Sequence, residues 1–469
     1  MVLALAAIAP VRNYDLFWHL ATGRWITEHR ALPQVDPFAV ASDRREWVNG
    51  EWLYQVAAHA LEERVGLKGL SVARGLMAAL ILTLAFLFSR RTPEPGGKGS
   101  KAPDEAPDGS ALLATAVAFA GAMATFDFRP SSLALLFVVL AIASRSTIAH
   151  AVISLLWINI HPSALLAPGI AALTTRRVLP VVASAAALLI NPHGWRAILA
   201  PLQLMSFVQS GAFVNAEWLP SGIARFPLLY LSIAAGAIAF LFKRDEWWRP
   251  VLFAFFAYLA VRHVRNQGLF FAAFPLLVAP SLPRIRNVIA YTGAALAIIF
   301  IAVTADHRLG VAPERFPIRA IARLDATGFE GHIYNPDQFG GLVIYTFYPE
   351  RRALTDGRNE LYREFIPEYA RARGDQRAWR VLLKKYRIDL AVDEYRAPLQ
   401  VVDAVTRQQR AMPASLAYWP RRDWALIAYD SAGMVFARRA AYPPEEIAKW
   451  ELREVPDAKA PGQPTTENR

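Results

Sequence analysis

From Met1 to Thr304, apolar runs alternate with short polar connections; beyond Thr304 the pattern breaks into short mixed segments. The runs are Met1–Pro10, Gly69–Ser89, Ala111–Phe126, Ser131–Ala143, Thr147–Ile160, Ser163–Thr174, Val178–Ile190, Phe226–Phe242, Pro250–Val261, Gly268–Leu282 and Asn287–Thr304. A bilayer-spanning helix needs about 20 apolar residues. Gly69–Ser89 meets that length. Several others are shorter, as helices that line a cavity in a bundle can be. The pattern predicts an α-helical polytopic membrane protein with about eleven transmembrane helices over 1–304. Met1–Pro10 covers about half a span, which predicts that the true start lies upstream of Met1.

The connections carry the orientation signal. Arg90, Arg91, Lys98, Lys101, Arg145, Arg176, Arg177, Lys243, Arg244, Arg249, Arg284 and Arg286 fall on one side if the runs alternate. By the positive-inside rule that side is the cytoplasm, and 90–110 is a Pro/Gly-rich cytoplasmic linker. The outer side receives the loop 12–68, the ends of several helices and everything from residue 305 onward. Composition agrees with this division. Hydrophobic residues make up 54% and charged residues only 19%, against about a quarter charged in soluble domains. The net charge of +12 then reflects cytoplasmic loops and lipid headgroups, and no nucleic-acid partner is expected. The absence of Cys excludes thiol nucleophiles, thiolate metal sites and iron–sulfur ligation.

After Thr304, strands are predicted at His332–Tyr334, Ala353–Thr355, Leu390–Val392, Trp424–Tyr429 and Met434–Ala437, and helices at Pro317–Asp325, Leu361–Arg373, Arg377–Tyr386 and Leu399–Arg410. This alternation implies a soluble α/β domain over 305–455 with a partly parallel sheet, followed by a disordered polar tail, 456–469. Asn335–Gly341 reads as a turn without the spacing of a nucleotide-binding loop. In the first outer loop, Asn13–Arg30 reads as an aromatic-rich interfacial helix, and a second helix begins near Leu53. Asp15 and His19 stand four apart and share a helix face. Such a pair can hold a divalent metal, or the His can orient a carboxylate base. Asp36 adds a second carboxylate.

Several motifs carry a resemblance: Asp15-x-x-Trp18-His19-Leu20-x-x-Gly23-x-x-Ile26, Pro33-x-x-Asp36-Pro37-Phe38 and Trp47-Val48-x-x-Glu51-Trp52-Leu53. Phe128-Arg129-Pro130, Trp157–Pro162, Asn191–Trp195, Glu217-Trp218, Arg262–Asn266 and Thr355–Tyr362 continue it through most of the chain. Together they resemble a group of uncharacterised bacterial polytopic membrane proteins, itself similar to the GT-C superfamily of membrane glycosyltransferases. The resemblance implies a sugar donor carried on polyprenyl phosphate, a glycan, lipid or protein acceptor, and a site at the outer face of the bacterial inner membrane. It places Asp15 where GT-C enzymes keep an acidic residue soon after helix 1, with His19 beside it. The paired acidic motif of many GT-C enzymes is absent, since Leu16 follows Asp15. A phosphate leaving group calls for fixed cations, and Arg binds it through two oxygens at once. Arg129, Arg262 and Arg265, with His263, are the phosphate-binding candidates. Asp36, His161, His193, Glu217, Asp356 and Arg358 are the candidates for substrate or acceptor contact. Two other classes fit less well. A non-catalytic envelope scaffold would bind glycans or lipids with the same loops. A transporter would concentrate polar residues at mid-membrane, not at one face.

Overall fold

The computed structural model describes residues 2–42, 44–90, 109–123, 125–211, 216–242, 246–283, 285–395, 398–402, 407, 409–413 and 418–453. Most of the predicted linker 90–110, the tail 456–469, Lys243, Arg244 and Arg284 lie outside the described residues. The chain divides into two compact units. The helical unit is Met1–Val11, Val48–Tyr54 and Leu61–Gly310; the α/β unit is Arg12–Trp47, Gln55–Ala60 and Val311–Arg469. The segment Arg12–Trp47 therefore belongs with the C-terminal third, a grouping that differs from the expected division at residue 304.

The helices run in chain order as α1 Val2–Ala7, α2 Leu16–His29, α3 Trp52–Ser89, α4 Gly109–Ala122, α5 Pro130–Ala143, α6 Thr147–Ile158, α7 Ala167–Thr175, α8 Val178–Ala187, α9 Arg196–Gln209, α10 Pro227–Phe242, α11 Trp248–Arg262, α12 Gln267–Val278 and α13 Asn287–Thr304. Each apolar run of the sequence overlaps one of them. Helix α3 is interrupted at Gly66, where φ is +64° and ψ 179°. Only glycine adopts that conformation cheaply. The amphipathic helix predicted from Leu53 and the span Gly69–Ser89 thus meet at this residue. Two helices, Trp52–Ser89 and Asn287–Thr304, are long and apolar enough to cross a membrane; a count of eleven spans relies on the shorter helices as well.

Helix α12 is the axis of the helical core, with every residue from Gln267 to Val278 buried. Phe253, Phe270 and Phe274 form an aromatic cluster there with centroids 5.6–6.5 Å apart. Helix α13 is the opposite case: it is apolar throughout, yet only Ala290 and Ile301 are buried. Phe242 is 87% exposed and Val178 and Val303 are 78% exposed. The loop expected at Asn191–Pro220 contains α9. Its interior Pro201 masks the helical pattern in the sequence.

The α/β unit holds a sheet of order β1-β2-β6-β5, with β1 His332–Tyr334, β2 Ile388–Glu394, β5 Trp424–Tyr429 and β6 Gly433–Arg438. Strands β1 and β2 are parallel and the other pairs antiparallel. Its helices are α14 Ile318–Ala326, α15 Asp337–Phe347, α16 Phe365–Gly374, α17 Gln376–Lys385 and α18 Pro444–Trp450. Three local expectations are corrected. Leu399–Arg410 is not a helix: β3 Pro398–Val402 and β4 Gln409–Pro413 pair antiparallel, and the β-branched Val401 and Val402 favour the extended form of β3. Asn335–Gly341 contains the start of α15. Ala353–Thr355 forms only isolated bridges, from Ala353 to Ile333 and to Ala39.

Candidate functional site

The α/β unit places Asp15 at the N-cap of α2. Trp18, one turn on, donates its indole N–H to Asp15 Oδ1 at 3.0 Å. The ring of His19 lies against Trp18 with centroids 3.7 Å apart. Gly357 supplies the other wall, since a Cβ there would come within 2.5 Å of Asp15 Oδ1. The close approach of this loop to Asp15 therefore requires glycine.

Behind Gly357 stands a buried charge cluster. Arg358 donates through Nε to Asp356 Oδ1 at 2.8 Å, and its Nη1 meets Asp36 at 2.9 Å. Tyr362 OH donates to Asp356 Oδ2 at 2.7 Å. The backbone N–H groups of Phe38 and Ala39 donate to Asp36 at 3.1 and 3.3 Å. The guanidinium lies 4.4 Å above the Trp47 ring, with the rings of Phe38 and Trp18 farther off at 5.4 and 5.7 Å. Burial works against the Arg358 charge, but Asp356 and Asp36 outweigh it and hold its pKa well above the usual value. Glu360, which sequence reasoning passed over, is half-buried beside this cluster. Burial raises its pKa; its own backbone N–H and Arg358 oppose the shift, while the charges of Asp356 and Asp15 add to it. Its signal was present in the Thr355–Tyr362 motif. Among the described residues no group of three or more His, Asp or Glu side chains is placed to hold a metal ion.

The helical unit builds a second constellation. Arg129 is the extended N-cap of α5, just ahead of Pro130. It donates to Glu217 Oε1 at 2.6 Å. His161, Ser163, Arg129, Arg265 and Asn266 line one small cleft. Ser163 N–H donates to His161 Nδ1 at 3.2 Å, which leaves the proton of the neutral ring on Nε2. Burial, reinforced by Arg265 and Arg129, lowers the His161 pKa to about 3. The cleft thus offers two guanidiniums and an uncharged imidazole, a donor set suited to a phosphate. Arg265 lies 4.5 Å over the Trp218 ring, and His263 Nδ1–H donates to the Trp218 carbonyl at 2.7 Å. Arg262 is exposed at the end of α11, and His193 sits in the turn before α9; neither lines the cleft.

The α/β unit also holds an open cleft of about 710 Å³, lined by residues including Arg45, His332, Arg352, Glu368 and Lys385. That volume lies within the usual range of ligand sites.

The arrangement of a helical part followed by a small C-terminal sheet is shared with a solved membrane enzyme. The archaeal oligosaccharyltransferase AglB of Archaeoglobus fulgidus, in complex with an inhibitory peptide and a dolichol-phosphate, is similar with a TM-score of 0.50 and 9% identity, covering 87% of this chain and 71% of that one. The same enzyme in complex with Zn and sulfate gives 0.48 and 11%, over 83% of this chain and 65% of that one. No family model and no curated protein matches the chain.

Proposed function

We propose that this chain is a GT-C-type glycosyltransferase that moves a sugar from a polyprenyl-phosphate donor to an acceptor at the outer face of a bacterial inner membrane. The observation that carries the reading is the fold shared with AglB across 87% of the chain. Helix α13 supports the membrane setting: an apolar helix with two buried residues has no place in water. In the α/β unit, Asp15 is the general base. It takes the proton of an acceptor hydroxyl as that oxygen bonds to the sugar's anomeric carbon and the bond to the phosphate oxygen breaks. Trp18 and Gly357 fix its carboxylate, and His19 supports Trp18. Asp36, Asp356 and Arg358 position Gly357 from behind. In the helical unit, Arg129, Arg265 and His161 form a phosphate-binding cleft, with His263 and Arg262 flanking. Glu217 keeps Arg129 in place until substrate arrives, and His193 belongs to the acceptor side.

The test is transfer from a polyprenyl-phosphate sugar by purified full-length protein. Turnover by wild type that is lost in Asp15→Asn supports the assignment. Turnover unimpaired in Asp15→Asn removes Asp15 from the mechanism. No turnover with any donor favours the non-catalytic scaffold.

A further inference from the structure

Three arginines from three separate connections converge at one end of the helical unit, at the opposite ends of α5 and α11 from the His161 cleft. Arg145 follows α5, Arg176 follows α7, and Arg249 opens α11. Arg145 and Arg249 both lie over the Trp248 ring, at 5.3 and 5.2 Å from its centre. Arg176 lies 5.5 Å over the neighbouring Trp247 ring. Glu246 takes bonds from Arg249 Nε and Nη2 at 3.3 and 3.2 Å, while Arg249 Nη1 is buried without a hydrogen-bond partner. Among the described residues of this cluster, three guanidiniums face one carboxylate. The groups feel one another: burial lowers the Arg145 pKa, Glu246 opposes this, and Arg249 and Arg176 lower it further. Arg176 adopts φ +55°, a left-handed turn that closes α7.

The surroundings are apolar. Ile148, Val178, Leu179 and Phe242, each within three residues of a helix end at these connections, are 62–87% exposed. Trp247 is itself 54% exposed. A cationic cluster edged by exposed apolar side chains suits a ligand with a phosphate head and acyl chains, whereas a free ion would have no use for the apolar rim.

We propose that Arg145, Arg176 and Arg249, with Trp247, form a binding site for the phosphate headgroup of an anionic phospholipid. The proposal rests on the membrane reading above but not on the sugar chemistry. Arg249 Nη1 gains its missing acceptor from the phosphate, and the indoles shield the charges from water. The site is a fixed lipid contact, distinct from the donor site.

The experiment uses the full chain in neutral detergent, titrated with phosphatidylglycerol or phosphatidylcholine and read by native mass spectrometry. Phosphatidylglycerol should be retained preferentially. Arg176→Asn keeps a residue tolerant of the left-handed turn and removes one charge. It should weaken phosphatidylglycerol retention about fivefold, the contribution of one cation at a lipid surface, and leave phosphatidylcholine unchanged. Arg249→Gln should do at least as much. Millimolar inorganic phosphate should not displace the lipid. Equal retention of both lipids, or an Arg176→Asn protein that folds and retains phosphatidylglycerol normally, overturns the proposal, as does displacement by inorganic phosphate. A protein that stays soluble and monodisperse without detergent overturns the membrane reading and the lipid site together. One that requires detergent but does not discriminate between the lipids overturns the lipid site alone.

Discussion

In the helical unit Arg129 meets a Glu217 whose side chain is 44% exposed; in the α/β unit Asp36, Asp356 and Arg358 are each at most 2% exposed. The first pair can open. Glu217 is half in solvent while the Arg129 side chain is 13% exposed, so the carboxylate can move into water with Arg129 left in place. The second arrangement cannot open without stranding a charge in the interior. The difference separates two uses of charge: on the proposed reading it is held ready for a ligand in the helical unit, and in the α/β unit it fixes a loop so that Gly357 can sit against Asp15.

The strongest test of that contrast is Asp15→Asn, which preserves shape. Transfer should fall about 10²–10⁴-fold, the usual contribution of a positioned base, with circular dichroism and the detergent-solubilised state unchanged. Arg358→Met should instead act on stability. It leaves two buried carboxylates without their counter-ion and should cost about 3–5 kcal/mol in thermal or denaturant unfolding, whereas Arg129→Met, which frees a carboxylate that water reaches, should cost less. Equal losses would erase the distinction between the units. Arg265→Gln should raise the donor KM about tenfold, the worth of one charge-assisted bond, with unfolding unchanged.

The smallest effect concerns His161. Its pKa is depressed to about 3 in the folded state, against about 6.5 when unfolded. The stability it contributes is present above pH 6.5 and is lost as pH falls from there toward 3. Lowering the pH from 7.5 to 5.5 should therefore cost about 1 kcal/mol at this residue, and His161→Gln should remove that part of the acid sensitivity. Transfer rates over the same range should show no inflection from His161.

The apolar runs made the helices of 1–304 other than α9 legible, because burial in a bundle and exposure to lipid both demand apolar faces. Strands β1, β2, β5 and β6 were legible for a similar reason. The β3–β4 pair was not, because residues 399–410 contain apolar positions compatible with either period. The site was half legible. Asp15, Arg129, His161 and Arg265 were visible as polar residues at helix ends. The role of Gly357 as a wall for Asp15, and the pairing of Asp36 with Arg358, were hidden because each joins residues more than 300 positions apart. Glu360 and Trp47 sat inside recognised motifs, but nothing local announced a carboxyl beside Asp15 or an indole beneath a guanidinium.

The composition of the α/β unit has a consequence in time. Arg12–Trp47 is made well before most of its unit, which apart from Gln55–Ala60 begins at Val311. At about 5–20 residues per second, roughly 10–60 s separate the two during synthesis. Throughout that interval Phe17, Phe38 and Trp47, all buried in the finished protein, have no core to enter. The nascent segment must be kept from competing associations until the ribosome delivers the rest of its fold.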